Sequence, residues 1–125
     1  MKAKVNIQLY PDKIKTLFNA IEPSLLQATE AVKTQIASDQ VVPKNVGELE
    51  RSAFVRKKAR SKYQIVYDTP YARRLYWHPE YDFRKDKNPH AQGLWMQSYV
   101  DGNDKNYFAN AFKARLIENA KGLIT

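Results

Sequence analysis

One apolar stripe dominates the first third of the chain. Ile14, Leu17, Phe18, Ile21, Leu25, Ala28, Val32 and Ile36 recur at the period of a single helix face. Pro11 and Asp12 suit the first helical turn, where a missing N–H is harmless and a carboxylate meets the positive end of the helix dipole. Pro23 stands inside the stripe and removes the N–H that would pair with the Asn19 carbonyl. Because the stripe keeps its phase across the proline, the pattern predicts one helix over about residues 11 to 38, kinked near Pro23. A clean break at Glu22 is the alternative. A helix of this length with one apolar side needs a second layer to cover it.

The elements around it supply that layer. Val5, Ile7 and Leu9 alternate with polar neighbours, as in a half-buried strand. Pro43 and Gly47 mark a loop. The runs SAFVRKKA and KYQIVYD, joined at RSK, then read as a hairpin with Tyr63, Ile65 and Tyr67 on its buried side. In TPYARRLYW, Thr69 as N-cap and Pro70 at the first helical position open a short helix. Residues 78 to 93, HPEYDFRKDKNPHAQG, have little to bury and read as a long loop that takes its order from a neighbour. LWMQSYV is apolar enough to sit on the core as a helical turn or short strand. Asp104 opens a last helix with Phe108, Ala111, Phe112, Arg115 and Leu116 on one face and Gly122 as its stop. This order predicts one α+β domain over residues 1–125. A small antiparallel sheet is packed by a long kinked N-terminal helix and a C-terminal helix, and carries a basic β-hairpin.

Charge narrows the partners. Twenty-one Lys and Arg against thirteen Asp and Glu give a formal net charge of +8, which favours an anionic partner, nucleic acid or an acidic protein surface. The excess is concentrated from Arg51 to Lys62, where Arg56, Lys57, Lys58, Arg60 and Lys62 have no acidic neighbour. A run of this kind also suits a solvated strand face. Cysteine is absent, which excludes disulfides and thiolate metal sites. MKAKVNIQLY lacks the apolar run of a signal peptide, and no stretch is long and apolar enough to span a bilayer, so a soluble protein with no membrane partner is expected.

Catalytic chemistry finds little support. His78 and His90 are separated by flexible, Pro-containing sequence that does not hold two imidazoles at one zinc ion or one phosphate. Glu48 and Glu50, two apart, diverge on either a helix or a strand. No Gly-rich phosphate loop or nucleophile elbow occurs. No catalytic residue, metal site or cofactor is expected.

The stretch YDTPYARRLYWHPEY places Arg73 and Arg74 among Tyr71, Tyr76, Trp77 and Tyr81. Such residues stack bases or populate protein interfaces. The spacing of Tyr71 with Leu75, and of Ala72 with Tyr76, is that of a helix packed on a core, so about half of the stretch is expected inside.

Two segments in order resemble a known group. Pro43-Lys-Asn-Val-Gly47-Glu-Leu49-Glu-Arg-Ser52 is similar to the segment before the first hairpin strand of phage tail-completion proteins, and Asp68-Thr-Pro70-Tyr71-Ala72-Arg73-Arg-Leu-Tyr76 to the segment after their hairpin. Asn88-Pro89-His-Ala91-Gln-Gly-Leu-Trp95 and the closing helix resemble minor capsid proteins of phages infecting Gram-positive bacteria, and the likeness spans roughly residues 1 to 120. The hairpin, RKKARSK, is more basic than that pattern. The resemblance implies a non-enzymatic virion component of the head–tail connection, assembled as a ring in the neck in the host bacterial cytoplasm. Its partners would be itself and other neck, connector or tail proteins, with non-specific contact to packaged DNA as a further option. Contact residues would be Arg56, Lys57, Lys58, Arg60, Lys62, Arg73, Arg74, Tyr76 and Trp77. Pro43, Gly47, Leu49, Pro70, Tyr71, Ala72 and Trp95 would carry the fold. A small basic nucleic-acid-binding module is the competing expectation.

Overall fold

The structure, a computed structural model, describes residues 11–44 and 47–120. The expected strand with Val5, Ile7 and Leu9, and the stop at Gly122, lie outside the described residues. A single helix, α1 (Pro11–Ser38), runs through Pro23 without a break, so the division at Glu22 does not occur. Pro23 is exposed, which leaves its ring clear of the packed side.

The covered side of α1 differs from the stripe at its N-terminal end. Ala20, Ser24 and Ala28, four apart, are buried and lead into Val32 and Ile36, whereas Ile14 and Phe18 are exposed, Phe18 at 60%. Small residues let the last helix, α4 (Tyr107–Asn119), lie close along this side. Asn119 Nδ2 donates to Ser24 Oγ at 2.9 Å and to Gln27 Oε1 at 3.0 Å. Ser24 donates to the Ala20 carbonyl at 2.6 Å, which satisfies the buried hydroxyl. Helix α4 begins at Tyr107 and not at Asp104, whose N–H donates to the Ser98 carbonyl at 3.0 Å and so belongs to the preceding turn.

Gly47, at φ +85°, precedes the one-turn helix α2 (Glu48–Arg51). A side chain there would be strained, and its Cβ would meet the Arg51 guanidinium at 2.7 Å. The hairpin follows as β1 (Ala53–Ala59) and β2 (Lys62–Tyr67), antiparallel, with Val55 opposite Ile65, Arg56 opposite Gln64 and Lys57 opposite Tyr63. The next helix, α3 (Ala72–Tyr76), starts later than Pro70. The Thr69 hydroxyl is buried without a hydrogen bond, so it does not cap, and Pro70 sits in the turn before the helix. Residues Gln97–Tyr99 form one 3₁₀ turn.

These pieces meet on Val32, Ile36, Val42, Leu49, Ala72 and Trp95. Trp95 is 2% exposed and stands edge-on to Tyr67 and Tyr76, with centroids 5.4 and 4.8 Å away. Such edge-to-face contacts add to the area that each ring buries.

Residues 78–93 form no helix or strand, as their composition predicts, but their C-terminal end does not await a neighbour for its order. Asn88 is 3% exposed and donates from Nδ2 to the Val42 carbonyl at 2.8 Å. Gln92 N–H donates to the Val41 carbonyl at 2.9 Å, and Leu94 N–H to that of Tyr76 at 2.8 Å. Gly93 lies so close to the Pro79 backbone that a Cβ would sit 2.7 Å from Pro79 Cα. Asn88→Ala strands the Val42 carbonyl in the core and is expected to cost about 1–3 kcal/mol by urea denaturation. A loss under about 0.5 kcal/mol, within the scatter of surface changes, would show that the carbonyl finds another partner.

Candidate functional site

The hairpin has two unlike sides. Its register puts Val55, Lys57, Tyr63, Ile65 and Tyr67 on one, of which Ile65 and Tyr67 pack on the core. Phe54, Arg56, Gln64 and Val66 occupy the other, with Arg56 Nε donating to Gln64 Oε1 at 3.0 Å.

The basic tip is fastened to α1 by Glu22. The Ser61 N–H and hydroxyl both donate to Oε1, at 2.6 and 3.0 Å, and the Tyr63 hydroxyl donates to Oε2 at 2.8 Å. Lys57 Nζ lies 3.2 Å from the same Oε2. Ser61 holds φ +57°, the left-handed conformation that hairpin turns usually give to glycine, and its two bonds to Glu22 offset that strain. The tip is therefore not simply projected into solvent, as electrostatic repulsion within the basic run would suggest. Lys57 is exposed but paired with Glu22, while Lys58, Arg60 and Lys62 are exposed and form no ion pair among the described residues.

Hydrogen bonding from Tyr63 holds the Glu22 carboxyl down at about 2; the Ser61 bonds and Lys57 add to this, and burial opposes it. The Tyr63 phenol is correspondingly raised, first by its bond to Glu22. A carboxyl lowered in the fold contributes stability that is complete above its unfolded value, near 4.5, and lost as pH falls toward 2. The clasp is thus expected to hold at neutral pH and to open only in that acid window. Glu22→Gln removes the charge. It is expected to abolish protection of the Ser61 amide in hydrogen exchange at pH 7 while leaving core amides protected. Unchanged Ser61 protection would show that the carboxylate does not hold the tip. Only one sequence signal pointed to Glu22: it is the lone acid between Asp12 and Glu30 on a helix facing a basic run.

The second group of expected contact residues lies on α3. Ala72 is buried, and Tyr71, Leu75 and Tyr76 pack against the core. Tyr76 therefore turns mainly inward, and burial raises its phenol above the ordinary range. Burial likewise raises Tyr67, with the Trp95 indole working against it, although the indole N–H reaches no acceptor in hydrogen-bonding geometry. Arg73, Arg74 and Trp77 face outward, Trp77 at 62% exposure, and with Pro70 and His78 they line a groove of about 570 Å³. His78 stacks on Tyr81, centroids 4.7 Å apart, and its Nδ1 lies 2.7 Å from Glu80 Oε1. That bond is the main cause of a lowered Glu80 carboxyl. His90 is exposed.

Of the expected fold-bearing residues, Pro43, Gly47, Leu49, Ala72 and Trp95 are buried, Tyr71 is half-buried and Pro70 is exposed. Among the described residues no group of three His, Cys, Asp or Glu is placed to hold a metal ion, and no helix is long and apolar enough to cross a membrane. No family model matches the chain, and no match was found among curated proteins or solved structures.

Proposed function

We propose that this chain is a non-enzymatic structural component of a phage or prophage virion, acting at the head–tail connection as part of a neck or tail-completion ring. Its place of action is the virion, assembled in the host cytoplasm, and its partners are copies of itself and adjoining neck, connector or tail proteins. One observation carries the reading. The stretch Tyr67–Tyr81, which bears part of the resemblance, is divided between core residues (Tyr67, Tyr71, Ala72, Tyr76) and an outward set of Arg73, Arg74 and Trp77. Arginine beside an exposed tryptophan is a composition enriched where proteins meet and depleted on idle surface. Electron microscopy of the protein with its neighbouring virion proteins is expected to show closed rings. Persistence as a monomer at micromolar concentration with those proteins present would count against the role.

The free cations Lys58, Arg60 and Lys62 favour a second reading, a basic module that binds nucleic acid. Duplex DNA binding would then weaken linearly in log salt, with a slope that counts the phosphates contacted.

A further inference from the structure

Beside the hairpin tip lies a cleft of about 420 Å³, within the range of sites that hold a ligand. Its walls are mostly apolar: Leu25, Val32 and Ile36 from α1, Ile65 from β2, and Met96, together with the rings of Tyr63, Tyr99 and Phe108. The rim is unlike the walls. Lys62 lies on it and is exposed, and Val100 on the opposite segment is 69% exposed. Lys58 and Arg60 stand at the same end of the hairpin and have no ion-pair partner among the described residues. Because Glu22 clasps Ser61 and Tyr63, which also line the cleft, the cationic rim is held in place against the apolar walls.

We propose that this cleft receives an acidic peptide segment of another protein. One large apolar side chain enters between Leu25, Ile65 and Phe108, while carboxylates on either side of it meet Lys62, Lys58 and Arg60. Nucleic acid would use the cations of the rim, but its phosphates have no use for the hollow formed by Leu25, Val32, Ile36, Ile65 and Met96. A second copy that presented its own basic hairpin here would set like charge against the cationic rim, so contacts between copies belong to other faces. An acidic segment with an apolar residue matches both features at once. The inference rests on the part of the function proposed above that gives this chain an adjoining protein as partner, and would survive the loss of the virion role.

The test uses the full-length protein and synthetic octapeptides, read by fluorescence anisotropy at fixed ionic strength. The probes carry Leu-Phe, Leu-Leu or Leu-Trp at the centre between glutamates, with a Ser-Ser centre and lysine flanks as comparisons. At least one acidic apolar probe is expected to bind saturably, and both comparison peptides at least tenfold more weakly. Val100→Asp and Lys62→Glu are each expected to weaken binding at least tenfold, while Lys113→Glu on α4 changes it less than twofold. Chemical-shift mapping on the labelled protein checks that each variant is folded. The proposal is overturned if no acidic apolar probe binds at millimolar concentration, or if the Ser-Ser peptide binds as well. It is equally overturned if duplex DNA or dodecanoate binds tighter with the same sensitivity to Val100→Asp, or if that variant instead abolishes self-association in sedimentation. None of these readouts depends on rings, so failure here is separable from failure of the neck assignment.

Discussion

Trp95→Ala is expected to lower the unfolding free energy by about 3–5 kcal/mol, the cost usual for emptying a large aromatic site in a core. Trp95 is 2% exposed and is the ring on which Tyr67 and Tyr76 converge edge-on. Leu49, Val42 and Ala72, from three separate segments, belong to the same cluster. Their backbones are fixed by other contacts, so the vacated space would close only in part. Domains have about 5–15 kcal/mol in total, so the variant forfeits a large fraction of its stability, and a melting temperature lower by roughly 10–20 °C is expected. The indole N–H has no acceptor in hydrogen-bonding geometry. Trp95→Phe gives up no hydrogen bond and keeps most of the apolar volume, and is expected to cost less than half as much. Urea denaturation of both variants checks this. A Trp95→Ala loss below about 1 kcal/mol, the size of an ordinary substitution, would mean that this ring is not the centre of the core.

Reversing Lys58, Arg60 and Lys62 to glutamate is expected to leave the fold intact and to remove the partner. Each reversal takes away two charges, so the formal net charge of +8 becomes +2. The clasp survives, because Glu22 keeps Ser61, Tyr63 and Lys57. Stability should therefore stay within about 0.5 kcal/mol, as for other surface changes. Like charge set against an anionic surface costs several kcal/mol, so affinity for the partner should fall on the order of a hundredfold or more. Under the proposed role, infectious particles or joined tails should be lost while the subunit remains soluble and folded. Lys57→Glu is a different experiment: it places a carboxylate beside Glu22 and should free the tip. If the triple variant joins tails normally at physiological salt, the tip is a solvated edge and the assignment of these cations fails.

Much of the fold was legible because it rests on local rules. The period of Val32 and Ile36 and the β-rich runs of the hairpin depend on residues a few positions apart, and these produced α1, β1 and β2 where they were expected or close to it, whereas the one-turn helix α2 stands where only a loop was expected. Element starts slipped where the cap was judged from residue type. Thr69 and Asp104 are good capping residues, yet the Thr69 hydroxyl finds no partner and the Asp104 N–H is drawn back to the Ser98 carbonyl.

The pairing of polar side chains was decided only in three dimensions. Glu22 and Ser61 are 39 positions apart, Asn88 and Val42 are 46, and Asn119 and Ser24 are 95. No periodicity links such residues, since each meets its partner only after packing of apolar faces has brought their segments together. The same packing chose Ala20, Ser24 and Ala28 over Ile14 and Phe18 as the covered side of α1. Hydrophobicity alone ranks the larger residues higher, but the close approach of α4 requires small ones. It also decided which cations stay available. The sequence presents Lys57, Lys58, Arg60 and Lys62 as one run, all are exposed, and only the position of a single carboxylate on α1 sets the paired Lys57 apart from the other three.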